Sequence, residues 1–541
     1  MIVKGRLRTA AAWSFCVSAF LWAHIDHPIV ALWPSITALG VVLLVRRVLI
    51  GLVAGGAAGC VIIAGGNPVV AFVSFFRDHL IPSLQDSWKI GAIIFTFVLG
   101  GFAALIERGG GMRALVGPIV RRGKDPAARM QWGVFTIGFA VFFDGLANSM
   151  LVGRIFGKVA DRSGVSRAKL AYLVDSTSSA VACVAFVSTW IAYQLAMIRE
   201  GYALAGRTEE AKPYTLFFES IPFNFYCWFT LLLVGVSIYQ RFNPGPMAQF
   251  EAIAQSTASK RERHRGGFGA TGGSGAMDDG HWAVAVIPLV VLIVTLIGGI
   301  YFWGDEIHPW PVTKDKVVAA FGGSHVVVAR VCASAVGAFS AFLMYPRRRR
   351  ENKDSPAAVF QGGVQTLFIP VTILLGAWVL GSTLKDLKAA VVISELLSGR
   401  LPVQLFPAAV FLTGAAISFS TGTSWGTMGI LMPLAIPVVF GLDVGSGENT
   451  LMAAVVGAVF SGAVFGDHCS PISDTTIVSS IACEIPAHDH VRTQLPYALI
   501  AGGTAVFLGF LPTGFFLPAW ISLGVGSGFL ILLPRVWARP R

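Results

Sequence analysis

Four carboxylates stand where an ionisable side chain is costly: Asp144 in FFDGLANSM, Asp175 in YLVDSTSSA, and Asp467 and Asp474 in FGDHCSPISDTTIVSS, each inside an otherwise apolar stretch. A charged residue at the centre of a bilayer costs about 2.5 to 3.5 kcal/mol on insertion scales, so each one asks for a partner or a use. Their neighbours are hydroxyls. Ser176 and Thr177 follow Asp175, and Ser470, Ser473, Thr475 and Thr476 surround the last two aspartates. Clustered carboxylate and hydroxyl oxygens are hard ligands and suit sodium, by the logic that governs other hard cations. Pro471 lacks a backbone donor and breaks a helix, which frees carbonyls that water or a cation must satisfy at that depth. The chemistry this allows is the exchange of a sodium ion for a proton at one carboxylate, with Asp474 the first candidate and Asp175 the second. Asp175-Ser176-Thr177 echoes Asp474-Thr475-Thr476 in the other half of the chain.

Asn148 and the group Ser420, Thr421, Thr423 and Ser424 either line the substrate site or cap helix arms; the sequence leaves both readings open. His468 has only Cys469 as a neighbour of metal-binding type, and zinc is not expected. Gly422-Thr423-Ser424-Trp425-Gly426 matches GxSxG, but a nucleophile elbow needs a preceding strand and an α/β-hydrolase sheet, which this sequence does not offer. An intramembrane protease built on His468 or the aspartates would not need the polar motif twice, so transport is expected rather than an enzyme. No cofactor is expected beyond the carried ions.

The elements that must position these residues are membrane helices. Hydrophobic residues make up 55% of the 541 positions and charged ones 13%, against about 25% charged in soluble domains, which excludes a soluble fold. The net charge of +12 sits in short clusters between apolar spans, as cytoplasmic loops require, and no nucleic-acid motif accompanies it. Seven cysteines, at 16, 60, 183, 227, 332, 469 and 483, form no CxxC pair and suggest no disulfide framework. Lys4, Arg6 and Arg8 before Ala10 to Ala23 read as the start of an uncleaved first helix.

Placing basic clusters in the cytoplasm threads the chain through spans at 9–24, 28–45, 48–66 and 89–106. A simple crossing by 131–152 would put Arg154, Lys158, Arg162, Arg167 and Lys169 outside, so this segment turns back at Asp144, Gly145 and Asn148 as a re-entrant hairpin. Spans at 170–195, 221–240, 281–303, 316–345 and 362–381 follow. A second hairpin, at 403–440, turns at STGTSWGT; 450–483 returns inward and 496–534 crosses twice. The expected fold is an all-α polytopic membrane protein of about 11 to 13 hydrophobic spans, with two inverted repeats, each a re-entrant hairpin followed by a broken helix. The expected units are an N-terminal membrane helix (1–30), a first transport repeat (31–243), a flexible cytoplasmic connector (244–280), linking helices (281–345), and a second repeat with C-terminal helices (346–541). Both termini are expected in the cytoplasm.

FGDHCSPISDTTIVSS at 465–480 resembles the signature of NhaC-type sodium/proton antiporters of the ion transporter superfamily. VDSTSSAVACVAFVSTW at 174–190, AWVLGSTLKDL at 377–387, FSTGTSWGTMGILMPLAIP at 419–437 and DHVRTQLPYAL at 489–499 resemble further segments of that family in the same order. The resemblance spans about residues 30–240 and 281–510. It implies sodium/proton exchange across the inner membrane by alternating access, with sodium held at Asp175, Asp467 and Asp474, helped by Ser176 and the STGTS turn. Relatives that exchange organic acids or move amino acids give the alternative, which Lys385 would favour if it lay near the site rather than paired with Asp386. This chain departs from the family at Asp144-Gly145, where the family often reads Asp-Asp; the difference bears on stoichiometry. Partners implied are the bilayer, sodium and protons, with no nucleic acid. Oligomers, a homodimer among them, are common in the superfamily, although Gly51 and Gly55 are equally explained by packing within one chain.

Overall fold

A computed structural model of the chain describes residues 14–45, 47–111, 125–264, 281–303, 326–346, 355–389, 402–442, 447–471 and 473–537, with positions 316, 320, 391 and 392. Basic residues used to thread the chain (Lys4, Arg6, Arg8, Arg46, Arg113, Arg121, Arg122, Lys124, Arg265, Arg347 to Arg350, Arg539 and Arg541) lie outside the described residues, as does Ile472 of the last polar motif.

The described elements are helices. In chain order they include α1 (Trp33–Val45), α2 (Val48–Ile63), α3 (Ser87–Gly109), α4 (Pro126–Ala140), α5 (Gly145–Ser163), α6 (Arg167–Val184), α7 (Thr189–Leu204), α8 (Phe225–Tyr239) and α9 (Met247–His264). There follow α10 (Ala283–Phe302), α11 (Val326–Met344), α12 (Phe368–Asp386), α13 (Phe406–Thr421), α14 (Ser424–Gly441), α15 (Glu448–Cys469), α16 (Asp474–Ala482), α17 (Ala487–Thr504) and α18 (Ala519–Trp537). Among the described residues nine helices are long and apolar enough to cross a bilayer, or eleven if each of two bent pairs counts as one span. The chain is a multi-pass membrane protein.

One order of elements occurs twice. Helices α4 and α5 form a helical pair turning at Asp144, followed by α6, a break at 185–188, and α7, bent by 47°. Helices α13 and α14 form a second pair turning at Gly422 and Thr423, followed by α15, a break at 470–473, and α16. Gly422 ends α13 in the left-handed region, at φ 70°, which a glycine adopts without steric cost. The two sets interlock: α5 packs on α16 of the other set, and α14 packs on α7. Outside them, α1 lies on α2, α2 on α12, and α3, α10 and α11 against one another.

Part of the stretch 244–280, expected to be a flexible connector, is helical, while residues 265–280 lie outside the described residues. Its first part is α9, seated on the bundle by Glu251, whose Oε1 accepts from Ser166 N at 2.8 Å. The Gly- and Ser-rich composition begins only after His264; before it Met247 and Glu251 are buried one turn apart, and helical spacing wins.

Candidate functional site

The break between α15 and α16 is held by its own hydroxyls. Asp467, 2% exposed, lies two residues before the end of α15. Ser473 Oγ donates to one of its carboxylate oxygens and Thr475 Oγ1 to the other at 2.9 Å, while Thr476 Oγ1 donates to the Asp467 carbonyl at 3.1 Å. Ser473 occupies the N-cap position of α16 without making a side-chain cap. Its proton serves the carboxylate instead. Ser470 is buried, and its Oγ has no hydrogen-bond partner among the described residues. An orphaned hydroxyl beside a buried carboxylate is a lone-pair donor waiting for a cation or water.

The tip of the second helical pair closes on the same helix. Ser418 Oγ and Ser424 Oγ both donate to the Ala463 carbonyl, at 2.7 and 3.2 Å. Thr423 caps α14 by accepting from Gly426 N at 3.3 Å, and Ser420 Oγ bonds back to Ala416 of its own helix. Thr421 Oγ1 is buried without a partner among the described residues. Of the group left open between capping and lining, Thr423 caps, Ser420 serves its own helix, and Ser424 and Thr421 face the interior. The hydroxyl of Ser424, the nominal nucleophile of the GxSxG match, is committed to a carbonyl.

Asp175 is fully buried in the middle of α6. Its Oδ2 accepts from Gln494 Nε2 at 2.7 Å and lies 3.3 Å from His490 Nε2; its Oδ1 accepts from Ser479 Oγ at 3.3 Å. Ser149 Oγ lies 3.1 Å from Ser479 Oγ, within hydrogen-bond reach. Asp175 thus joins α6, α5, α16 and α17. Gln494 Nε2 also donates to the His468 carbonyl at 2.9 Å, one residue from Asp467, and the other end of His468, Nδ1, is 2.9 Å from the Tyr226 hydroxyl. Thr177 and Ser178 bond to carbonyls of α6, and Ser176 faces a cleft with Tyr172, Tyr226, His468, Gln494 and Tyr497.

Asp144 belongs to the first break. Its Oδ2 accepts from Thr189 Oγ1 at 2.8 Å, and the adjacent Phe143 carbonyl accepts from Thr189 N at 2.9 Å. Asn148 Nδ2 ties the turn to the Gly138 carbonyl at 2.7 Å, leaving its buried Oδ1 without a partner among the described residues. A Cβ at Gly145 would meet nothing nearer than 3.7 Å, the Ser178 carbonyl and Trp190 Nε1. There is room for a methyl group at this position.

Two sequence expectations are adjusted. The triplets at 175 and 474 do not occupy equivalent places: Asp175 is deep within α6, ten residues before the break at 185, whereas Asp474 begins α16 directly after its break. Asp474 is exposed, on the face of α16 that also exposes Ile477 and Ile481. Of the four carboxylates Asp474 alone is exposed, and Asp175 and Asp467 are the most deeply buried. Sequence reasoning missed His490, Gln494, Ser479, Ser149 and Tyr226; a His and a Gln four apart in an apolar helix were the available signal. Among the described residues no group of three or more His, Cys, Asp or Glu side chains could hold a metal.

A model of the Na+/H+ antiporter family matches residues 181–515. An uncharacterized protein of Haemophilus influenzae is 30% identical over 494 residues, 89% of this chain and 90% of that protein. A malate-2H+/Na+-lactate antiporter of Bacillus subtilis is 32% identical over 162 residues, 29% of this chain and 32% of its own. The solved structure of MtrF from Neisseria gonorrhoeae, described as illuminating a class of antimetabolite efflux pumps, superposes with a TM-score of 0.52 at 13% identity, covering 95% of this chain and 96% of that one. This is a likeness of fold. The family match opens after Asp175 and takes in the second helical pair, the α15–α16 break and α17.

Proposed function

The chain belongs to the Na+/H+ antiporter family, and from that premise we propose that it exchanges sodium for protons across the inner membrane by alternating access, with Asp467 the carboxylate at which the two ions compete and Asp175 its buried partner. The observation that carries this reading is the setting of Asp467: buried at a helix break and met by the hydroxyls of Ser473 and Thr475, beside the unpartnered Ser470. A hydroxyl that donates to a carboxylate can rotate and offer its lone pair to a metal ion, so one cage serves either occupant. Sodium or a proton neutralises the site; the empty, ionised site pays the cost of charge in a low-dielectric interior and does not cross. Asp144, with Asn148 and Thr189, is the corresponding polar point of the first break, and Asp474 serves as an outer ligand at most.

The test is sodium-induced dissipation of a preformed pH gradient in proteoliposomes of the purified protein. Wild type should respond. Asp467→Asn should not, while keeping its helical circular dichroism and melting temperature. A folded Asp467→Asn protein that still exchanges places the ions elsewhere.

A second reading is supported by one observation. Lys385 does not pair with Asp386, whose Oδ2 lies 3.9 Å from His79 Nδ1; it opens onto a cavity of about 200 Å³ with Trp88, Lys89, Arg199, Glu200 and Trp378. Lys89 is already paired with Glu200 at 3.1 Å and Arg199 with Asp86 at 3.0 Å, so Lys385 and the indole rings are what this space offers an organic carboxylate, and one relative is named for malate and lactate. Proteoliposomes that respond to malate or lactate gradients and not to sodium alone would favour this carrier.

A further inference from the structure

Lys169 is a buried charge that the exchange reading leaves unused. It is 1% exposed, in the first turn of α6, where a cation also opposes the helix dipole. Its Nζ donates to Ser237 Oγ at 3.0 Å, Asn243 Oδ1 at 3.0 Å and the Tyr497 hydroxyl at 3.1 Å. The protons of those hydroxyls are committed elsewhere: Ser237 donates to the Val234 carbonyl at 2.8 Å, and Tyr497 to the Phe242 carbonyl at 3.0 Å or to Asn243 Oδ1 at 3.1 Å. All three groups present lone pairs to Nζ, which must therefore supply three N–H bonds. The cage is built for an ammonium. The rings of Tyr172 and Tyr497, stacked 3.9 Å apart, lie 5.2 and 4.9 Å from Nζ and add cation–π attraction.

This cage opens toward water. Ser237 and Asn243 also line a cavity of about 200 Å³ with Asp125, Gln131, Arg241 and Glu251, polar and large enough for several waters. On its other side the cage touches the carboxylate network, because Tyr497 shares α17 with Gln494 and His490, both of which contact Asp175.

We propose that Lys169 is a proton-exchanging group of the transport cycle, releasing a proton from Nζ to water in the adjoining cavity when sodium occupies the carboxylates and recovering it when sodium leaves. The neutral amine keeps two N–H bonds and gains a lone pair, so one acceptor must turn; Tyr497 can, by moving its proton from the Phe242 carbonyl to Nζ. That places the protonation state of Lys169 and the hold of α17 on Asp175 in one linked set. Six helical residues separate Lys169 from Asp175, about 9 Å of rise, and a sodium ion that neutralises an ionised carboxylate at that distance lowers the proton affinity of the amine by about tenfold. The titratable and charged groups facing it are Tyr172 on α6, Tyr497 on α17, Glu251 on α9, the Arg241–Asp125 ion pair at the cavity wall (2.9 Å), and Asp175; Asp161 of α5 is taken by Arg167.

The inference rests on the exchange reading for its sodium step, and its first test does not. Proton titrations of wild type and Lys169→Met in detergent, without sodium, should differ by one proton in a window within about two pH units of neutrality. Superimposable curves over that window overturn the proposal. If the variant does not fold, Asn243→Asp, of equal size, sets a carboxylate on Nζ and should move the wild-type step upward by a pH unit or more; an unmoved step overturns it equally. A wild type that shows the step but exchanges no sodium fails the exchange reading alone. With exchange in hand, Lys169→Arg should bind sodium yet lose proton release at least tenfold, and wild-type exchange with a wild-type pH profile in that variant would sink the idea.

Discussion

At the first break Ser188 caps the helix that follows it, its Oγ accepting from Ile191 N at 3.2 Å; at the second, Ser473 stands in the same place before α16 and turns its hydroxyl to Asp467 instead. The threonines that follow repeat the contrast. Thr475 serves a carboxylate from its own broken helix, whereas Thr189, directly after Ser188, serves Asp144 of the neighbouring helical pair. Both breaks bring a carboxylate under hydroxyls, yet only the second gives up a helix cap to do so. An N-cap hydroxyl is worth about 1 kcal/mol, so the second break forgoes that stabilisation for its contact with Asp467, as the proposed exchange would require.

The comparison can be broken by experiment. Asp467→Asn should lower exchange by about a hundredfold or more, equivalent to about 3 kcal/mol, and Asp144→Asn by about tenfold; equal losses in the flux assay would make the two breaks functionally alike. Ser473→Ala should weaken sodium binding about tenfold, measured calorimetrically, with melting unchanged. Ser188→Ala should do the reverse, leaving affinity intact and costing about 1 kcal/mol of stability. Asp474→Asn, at an exposed position, should change exchange by less than about threefold. The smallest effect is expected from Gly145→Ala, within about 0.5 kcal/mol by thermal melting, since the nearest atoms stand 3.7 Å from the new Cβ.

Much of the fold was legible in the sequence because bilayer helices announce themselves by length and apolarity, and because Asp144 with Gly145 and Pro471 with its serines interrupt those runs visibly. What a sequence could not state is direction. Asp467 and Asp474 are seven residues apart in one motif, and only the angle at which α16 leaves the break turns one inward and the other out. The first break was harder still to read: AFVS at 185–188 contains neither Gly nor Pro, and the triplet at Asp175 drew attention ten residues too early. His490 and Gln494 come to Asp175 from more than 300 positions away, a pairing set wholly by packing.

The interlocking of the two sets, α5 on α16 and α14 on α7, carries a consequence for how such a molecule can move. A hinge between the N-terminal and C-terminal halves would tear both contacts apart at once. Any motion that spares them, and the hold of α17 on Asp175, must treat the helical pairs and broken helices of both halves, with α17, as one cargo moving against a frame built from the remaining helices. The seam of the machine then runs across the order of the chain, and cutting the polypeptide at its midpoint would sever neither the cargo nor the frame.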